Sequence, residues 1–167
     1  SAKYDVSNNQ PVLSSDNPEG LALPLFAWAE FNLYHKSANK RRIKEVMPFL
    51  QKYVEWIDAN FKKDNGLYAV PAAVSTMANS PRKECVYPID FNACMAINAS
   101  YMSALGDILN DKDLSFQYKK MYFSIKTRIN SLMWDPDSGF YYDLDKNENR
   151  LSVKTIAAFW TMLAEIP

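Results

Sequence analysis

Five helix-period segments follow one another in this chain, and their apolar patterns alternate between two kinds. The first, residues 21–35, has Leu23, Phe26, Ala27, Phe31 and Tyr34 on one face and Leu25, Trp28, Ala29 and Leu33 over much of the other. A helix that is apolar most of the way round is buried on both sides. The second, 41–62, carries a single stripe of Ile43, Val46, Met47, Leu50, Tyr53, Val54, Ile57 and Phe61, opposed by Lys44, Glu45, Lys52, Glu55 and Asp58. That is the 3, 4, 3 spacing of a helix with one wet face, with Pro48 marking a kink or a new start. The third, 90–109, is again apolar nearly all round (Phe91, Ala93, Met95, Ile97, Met102, Leu105). The fourth, 112–133, returns to one stripe through Tyr118, Tyr122, Ile125, Ile129 and Leu132. The fifth, 153–165, with Ile156, Ala157, Phe159, Trp160 and Leu163, reads as buried once more.

Buried, amphipathic, buried, amphipathic, buried is the order expected of successive inner–outer hairpins in a two-layered ring of helices. A plain bundle shows one stripe on every helix. The fold class expected is therefore all-α, an arc of an α/α toroid, with a short β-hairpin near residues 139–150. The turn at Asn110-Asp111 is tight, as between adjacent antiparallel helices. The stretch from Lys63 to Ile89 is far longer than a structural link requires, carries Pro71, Pro81 and Pro88, and is where function is expected.

Composition narrows the partners. Lys plus Arg equals Asp plus Glu at 19 each, which leaves no basic field for nucleic acid and favours a neutral small molecule or another protein. No apolar run approaches the roughly 18–20 residues that span a bilayer. Cys85 and Cys94 have no companion ligands for zinc and read as reduced thiols, so neither a metal nor a cofactor is expected. No signal peptide is visible; a cytoplasmic location is favoured, with periplasmic or secreted alternatives left open. Asp143-x-Asp145-x-Asn147 reads as a turn because Glu148 stands where a calcium loop needs Gly. His35, at the polar end of a helix, reads as a C-terminal charge. The sequon Asn98-Ala99-Ser100 falls inside a buried helix.

Ser75-Thr76-Met77-Ala78-Asn79-Ser80-Pro81-Arg82 resembles the Gly-Met-Asp-Asn-Ser-Pro-Arg signature of the trehalase, mannosyl-oligosaccharide glucosidase and mannosylglycerate hydrolase relatives, glycoside hydrolase families 37 and 63. Five further pieces resemble the same families in order: Pro24-Leu25-Phe26-Ala27-Trp28-Ala29-Glu30, Asp64-Asn65-Gly66-Leu67-Tyr68, Ile89-Asp90-Phe91-Asn92, Trp134-Asp135 through Asp145, and Lys154-Thr155-Ile156-Ala157-Ala158-Phe159-Trp160. The resemblance implies an (α/α)6 catalytic barrel of twelve helices, of which this chain supplies about five. It is therefore read as one partial domain, 1–167, incomplete at both ends, that exposes inner-helix apolar surface and associates with itself or with a covering partner.

In the resembling signature the Asp is the general acid that protonates the departing sugar oxygen, and the position here is Ala78. The resemblance also places the general base beyond this chain. Inverting glycosidases need both carboxyls, about 6.5–9.5 Å apart. Glu84, six residues on with Pro81 between, reads as a solvated loop charge rather than a substitute. Asn79 and Arg82 keep the pattern; they either shape a sugar pocket or hold the loop itself. Asp90 is read as an N-cap or a ligand contact. Tyr68 and Tyr87, on the long loop, are the rings placed to stack on a sugar face, while Trp28 and Trp160 read as core. Three readings follow: a glycosidase fragment for an α-linked disaccharide or small glycoside, disabled at its acid; a non-catalytic protein that binds sugar or a partner; or an Asp→Ala substitution made to trap substrate.

Overall fold

The computed structural model describes residues 4–5, 10–11, 21–71, 74 and 80–167. Among the described residues five helices appear: α1 (Phe26–Ser37), α2 (Lys40–Phe61), α3 (Ile89–Leu109), α4 (Lys112–Leu132) and α5 (Trp160–Leu163), the last entered through a 3-10 turn at Ile156–Phe159. Two short antiparallel pairs accompany them, β1 (Tyr4–Asp5) with β2 (Gln10–Pro11) and β3 (Trp134–Asp135) with β4 (Phe140–Tyr141).

α3 is the centre: α4, α1, α5 and α2 all pack against it. Every residue from Ile89 to Ala99 is buried, as an all-round apolar pattern requires. α2 and α4 are the outer partners. α2 buries Ile43, Met47, Leu50, Val54, Ile57 and Phe61 and leaves its charges in water. It runs unbroken through Pro48, whose forfeited bond is to the carbonyl of Lys44, with both residues on the exposed side. α3 and α4 approach backbone to backbone, since a Cβ on Gly106 would lie 2.8 Å from the Ser115 nitrogen. Ser103 and Ser115 hydrogen-bond across the same contact at 3.1 Å. Asn110, left-handed at φ 63°, ends α3, and the Asp111 carboxylate accepts from Leu114 N–H at 3.0 Å to start α4.

Two inner segments depart from expectation. In α1 only Ala27 is buried, and Trp28 and Leu33 are 45% and 40% exposed. Its apolar surround packs on α3 and α2 on one side only. The expected helix at 153–165 is a 3-10 turn plus one helical turn. Thr155 is extended and its hydroxyl accepts from Ala157 N–H, so helical winding starts only after it. Ile156, Phe159, Met162 and Leu163 are largely exposed. α1, α3 and α5 meet around an apolar hollow of about 130 Å³ lined by Leu25, Trp28, Ile97, Tyr101, Trp160 and Leu163.

The hairpin ladder lies slightly upstream of the expected span, pairing Trp134 with Tyr141 and Asp135 with Phe140. Residues 144–150 form a second closed turn, bridged Leu144 to Arg150, in which the Asp145 carboxylate accepts from Asn147 and Asn149. From α4, Tyr122, Lys126 and Asn130 donate to the carbonyls of Ala164, Glu165 and Ile166, fastening the end of the chain to the outer layer.

Candidate functional site

The N-terminal end of α3 gathers buried polar side chains from three parts of the chain. Arg82, in the long α2–α3 connection, is 2% exposed. Its Nε and Nη2 donate to the two carboxylate oxygens of Asp143, each at 2.7 Å. Nη2 and Nη1 also donate to Asp90 at 3.1 and 3.4 Å. Asp143 follows the β3–β4 hairpin and lies 61 residues from Arg82 in sequence. Its Oδ1 additionally accepts from Ile89 N–H at 2.8 Å, and Asp90 Oδ1 accepts from Phe91 N–H at 3.0 Å.

The sequence explains each contribution. Pro88 occupies the cap position of α3 and offers no side-chain acceptor, so the first N–H groups of the helix need acceptors from elsewhere. Asp90, one candidate for the cap, sits inside the first turn and covers Phe91 N–H, while Asp143 arrives from a distant segment to cover Ile89 N–H. Two carboxylates at a helix N-terminus are favoured by its partial positive charge. One guanidinium between them supplies the counter-charge. Burial works against that charge, but the hydrogen bonds Arg82 donates to Asp143 and Asp90, with the attraction of their charges, more than offset it and hold the Arg82 pKa above its ordinary value. Burial, with Asp143 adding to it, pushes the nearby Cys85 thiol well above its usual range, so the thiol is kept neutral.

Asn92, one turn into α3, extends this polar end. Its Oδ1 accepts from Tyr68 N–H at 2.8 Å, and its Nδ2 donates to the carbonyls of Tyr68 and Pro88 at 3.1 and 2.9 Å. Backbone bonds continue the fastening: Val86 and Tyr87 N–H both donate to the Leu144 carbonyl, at 2.9 and 3.1 Å. Tyr68, Val86, Tyr87 and Pro88 are thus tied to α3 or to the segment after the hairpin.

Arg82 and Asp90 are brought together, and the guanidinium is engaged by carboxylates rather than open to a ligand; of its two readings, the loop-holding one fits. Tyr68, expected as a stacking ring, is fully buried. It packs edge-on against Phe91 and donates its hydroxyl to Asp58 at 2.6 Å, and burial, with Asp58 adding to it, raises its pKa. Tyr87 is 8% exposed and paired with Leu144. A ring must show a face to stack on sugar, so both work in the core in this structure. Ala78 and Asn79 lie outside the described residues. Glu84 is exposed, as expected, and lines an open groove of about 370 Å³ with Pro81, Lys83, Leu151, Ser152 and Val153.

Sequence reasoning missed Asp143 and the clamp role of Asn92. For Asp143 a signal existed: an acidic residue between Tyr142 and Leu144, in a stretch that reads as strand, carries a charge into a buried row. Among the described residues no group of His, Cys, Asp and Glu is arranged to hold a metal ion, and no helix is long and apolar enough to cross a membrane. What this end of α3 can do chemically is hold backbone in one geometry.

Comparison with known proteins agrees with the architecture. A family model described as the mannosylglycerate hydrolase MGH1-like glycoside hydrolase domain matches residues 21–167. An uncharacterized protein of Borreliella burgdorferi is 54% identical over 166 residues, 99% of this chain but 35% of that protein. The chain therefore spans about a third of that relative's length. The cytosolic neutral trehalase of Kluyveromyces lactis is 37% identical over 51 residues, 30% of this chain and 7% of the trehalase. The solved GH63 mannosylglycerate hydrolase of Thermus thermophilus, in complex with glucose, matches with a TM-score of 0.79 at 19% identity, over 95% of this chain and 50% of that one. At that identity the likeness is one of fold, and the fold is that of the six-hairpin glycosidases. With the family model covering nearly the whole chain, this protein belongs to the mannosylglycerate hydrolase MGH1-like glycoside hydrolase domain family.

Proposed function

We propose that this chain is part of an inverting glycosidase-type domain that recognises an α-linked disaccharide or small glycoside and does not cleave it. The observation that carries the reading is Ala78 at the acid position of the family signature. A methyl group has no proton to deliver, and departure of a sugar oxygen without protonation forfeits the 10²–10⁴-fold typical of general acid catalysis. A base supplied elsewhere would not restore it. Asn79 is proposed as a sugar contact through its amide, with Arg82 and Asp90 supporting the signature from behind and no metal or cofactor taking part. The open groove beside Lys83, Glu84 and Ser152 supports the reading with hydrogen-bonding groups of the kind sugars use.

The test is to incubate the protein with trehalose, mannosylglycerate and related α-glycosides. Release of sugar is followed by proton NMR and binding by saturation transfer. Binding without release is expected; appearance of the inverted anomer of a free sugar would overturn the reading.

A second reading, that the fold serves partner binding, is favoured by one observation: Trp28, Phe159, Met162 and Leu163 stand exposed on the inner elements α1 and α5 and the turn before α5. Exposed apolar groups gathered in this way mark interaction surfaces. Concentration-dependent mass in sedimentation velocity is its expected result, and a monomer at all concentrations its refutation.

A further inference from the structure

We propose that Asp143 is the positioning residue for the end of the signature and the residues that follow it (Ser80–Cys85), holding them on the N-terminus of α3 through the Arg82 guanidinium. The proposal rests on the reading above in one respect, that the signature is the segment facing sugar.

Geometry singles out Asp143 over Asp90. Its two contacts with Arg82 are both 2.7 Å and use both carboxylate oxygens, against 3.1 and 3.4 Å for Asp90. Paired N–H···O bonds from one guanidinium to one carboxylate fix orientation as well as distance. Asp143 also holds Ile89 N–H at 2.8 Å, so a single side chain fixes the signature segment and the first residue of the central helix to each other. The main chain prolongs the joint, because Leu144 N–H donates to the Tyr87 carbonyl at 3.2 Å and its own carbonyl accepts from Val86 and Tyr87.

A stabilising role alone accounts poorly for the arrangement. All three charged side chains are at most 1% exposed. Well-packed apolar residues of similar volume would serve stability as well or better than buried ion pairs. What the ions supply and apolar groups do not is a single orientation of the backbone that carries them. Within the segment so held, Arg82 N–H donates to the Ser80 carbonyl at 2.7 Å and Cys85 N–H to the Arg82 carbonyl at 3.0 Å. Those two amides report on it directly.

The experiment is amide hydrogen exchange by NMR on the intact protein, the parent against Asp143→Asn and Arg82→Lys. Lysine keeps the charge but cannot make the paired bonds. Both variants are expected to speed exchange at Arg82 and Cys85 about tenfold or more, while core amides of α3 and α4 such as Met102 and Ile125 keep the parent rate, because local and global opening are separable. Asp90→Asn, which weakens the longer contacts, moves the same amides less. No change at Arg82 and Cys85, or equal acceleration throughout the molecule, would overturn the proposal. Should Asp143→Asn not fold, the Arg82 Nε–H of the parent decides: slow exchange supports the paired bond, and exchange at the rate of an exposed arginine refutes it. Affinity for an α-linked disaccharide, measured alongside, is expected to fall about tenfold in Asp143→Asn, equivalent to ~1.4 kcal/mol. A parent that binds no sugar counts against the proposed function and leaves the exchange result to judge Asp143.

Discussion

The two ends of α3 are built on opposite principles. At its N-terminus, Arg82, Asp90, Asn92 and Asp143 are buried, and hydrogen bonds join them to one another or to neighbouring backbone. At its C-terminal half, Met102, Leu105 and Gly106 meet α4 with apolar contact and close backbone approach; a serine pair hydrogen-bonds across the buried contact, and the Asp107–Lys112 ion pair beside it is exposed. One end spends burial on geometry and the other on packing. A helix central to a fold can therefore divide its length between orientation and stability, and substitutions at the two ends should fail differently.

The largest effect is expected from Arg82→Ala. It strands two carboxylates in the interior, and removing one partner of a buried ion pair costs about 3–5 kcal/mol. Urea unfolding measures it, and a loss under about 1 kcal/mol would show that the polar end is not closed to water. Asn92→Ala comes next. It leaves Tyr68 N–H without the amide acceptor, at a cost of about 1–3 kcal/mol, with faster exchange at Tyr68 as its local signature. At the other end, Gly106→Ala is the sharper probe. Alanine is the better helix former by about 0.5–1 kcal/mol, yet its methyl would meet α4 backbone at 2.8 Å. Overpacking costs about 1–3 kcal/mol, so a net loss of about 1 kcal/mol is expected; a gain would mean that α4 can withdraw. Replacing Ser103 and Ser115 together by Ala should change stability by less than about 0.5 kcal/mol, since both partners of the bond leave at once. Thiol chemistry gives the smallest readout. Burial raises the pKa of both Cys85 and Cys94, and a disulfide reagent at pH 8 should label neither until the protein unfolds.

The same contrast governs what could be read before folding. α2, α3 and α4 lie within a residue or two of their expected bounds because apolar periodicity and the Asn110-Asp111 turn are local signals. α5 was not legible as a single turn. Ile156, Phe159 and Leu163 carry an interior composition, and composition does not tell where helical winding begins; the Thr155 cap does. The packing end of α3 is written in its own residues. The polar end is not, because Asp143 reaches Arg82 across 61 positions and no periodic pattern encodes that meeting. Local reading therefore leaves Arg82 between two roles, and gives no sign that Asp143 shares with Asp90 the covering of the first N–H groups of α3. Tyr68 and Tyr87 were placed by loop position, although their neighbours Leu67, Val70, Pro88 and Ile89 already marked the loop as interior.

The grip of α4 on the last residues has a mechanical consequence. Tyr122, Lys126 and Asn130 stand one turn apart and hold three successive carbonyls, those of Ala164, Glu165 and Ile166. A pull on the backbone at Pro167 is carried into a helix of 21 residues and bypasses the four-residue helix that precedes it. Tension is thus borne by the outer layer, and the short inner turn is left mechanically quiet.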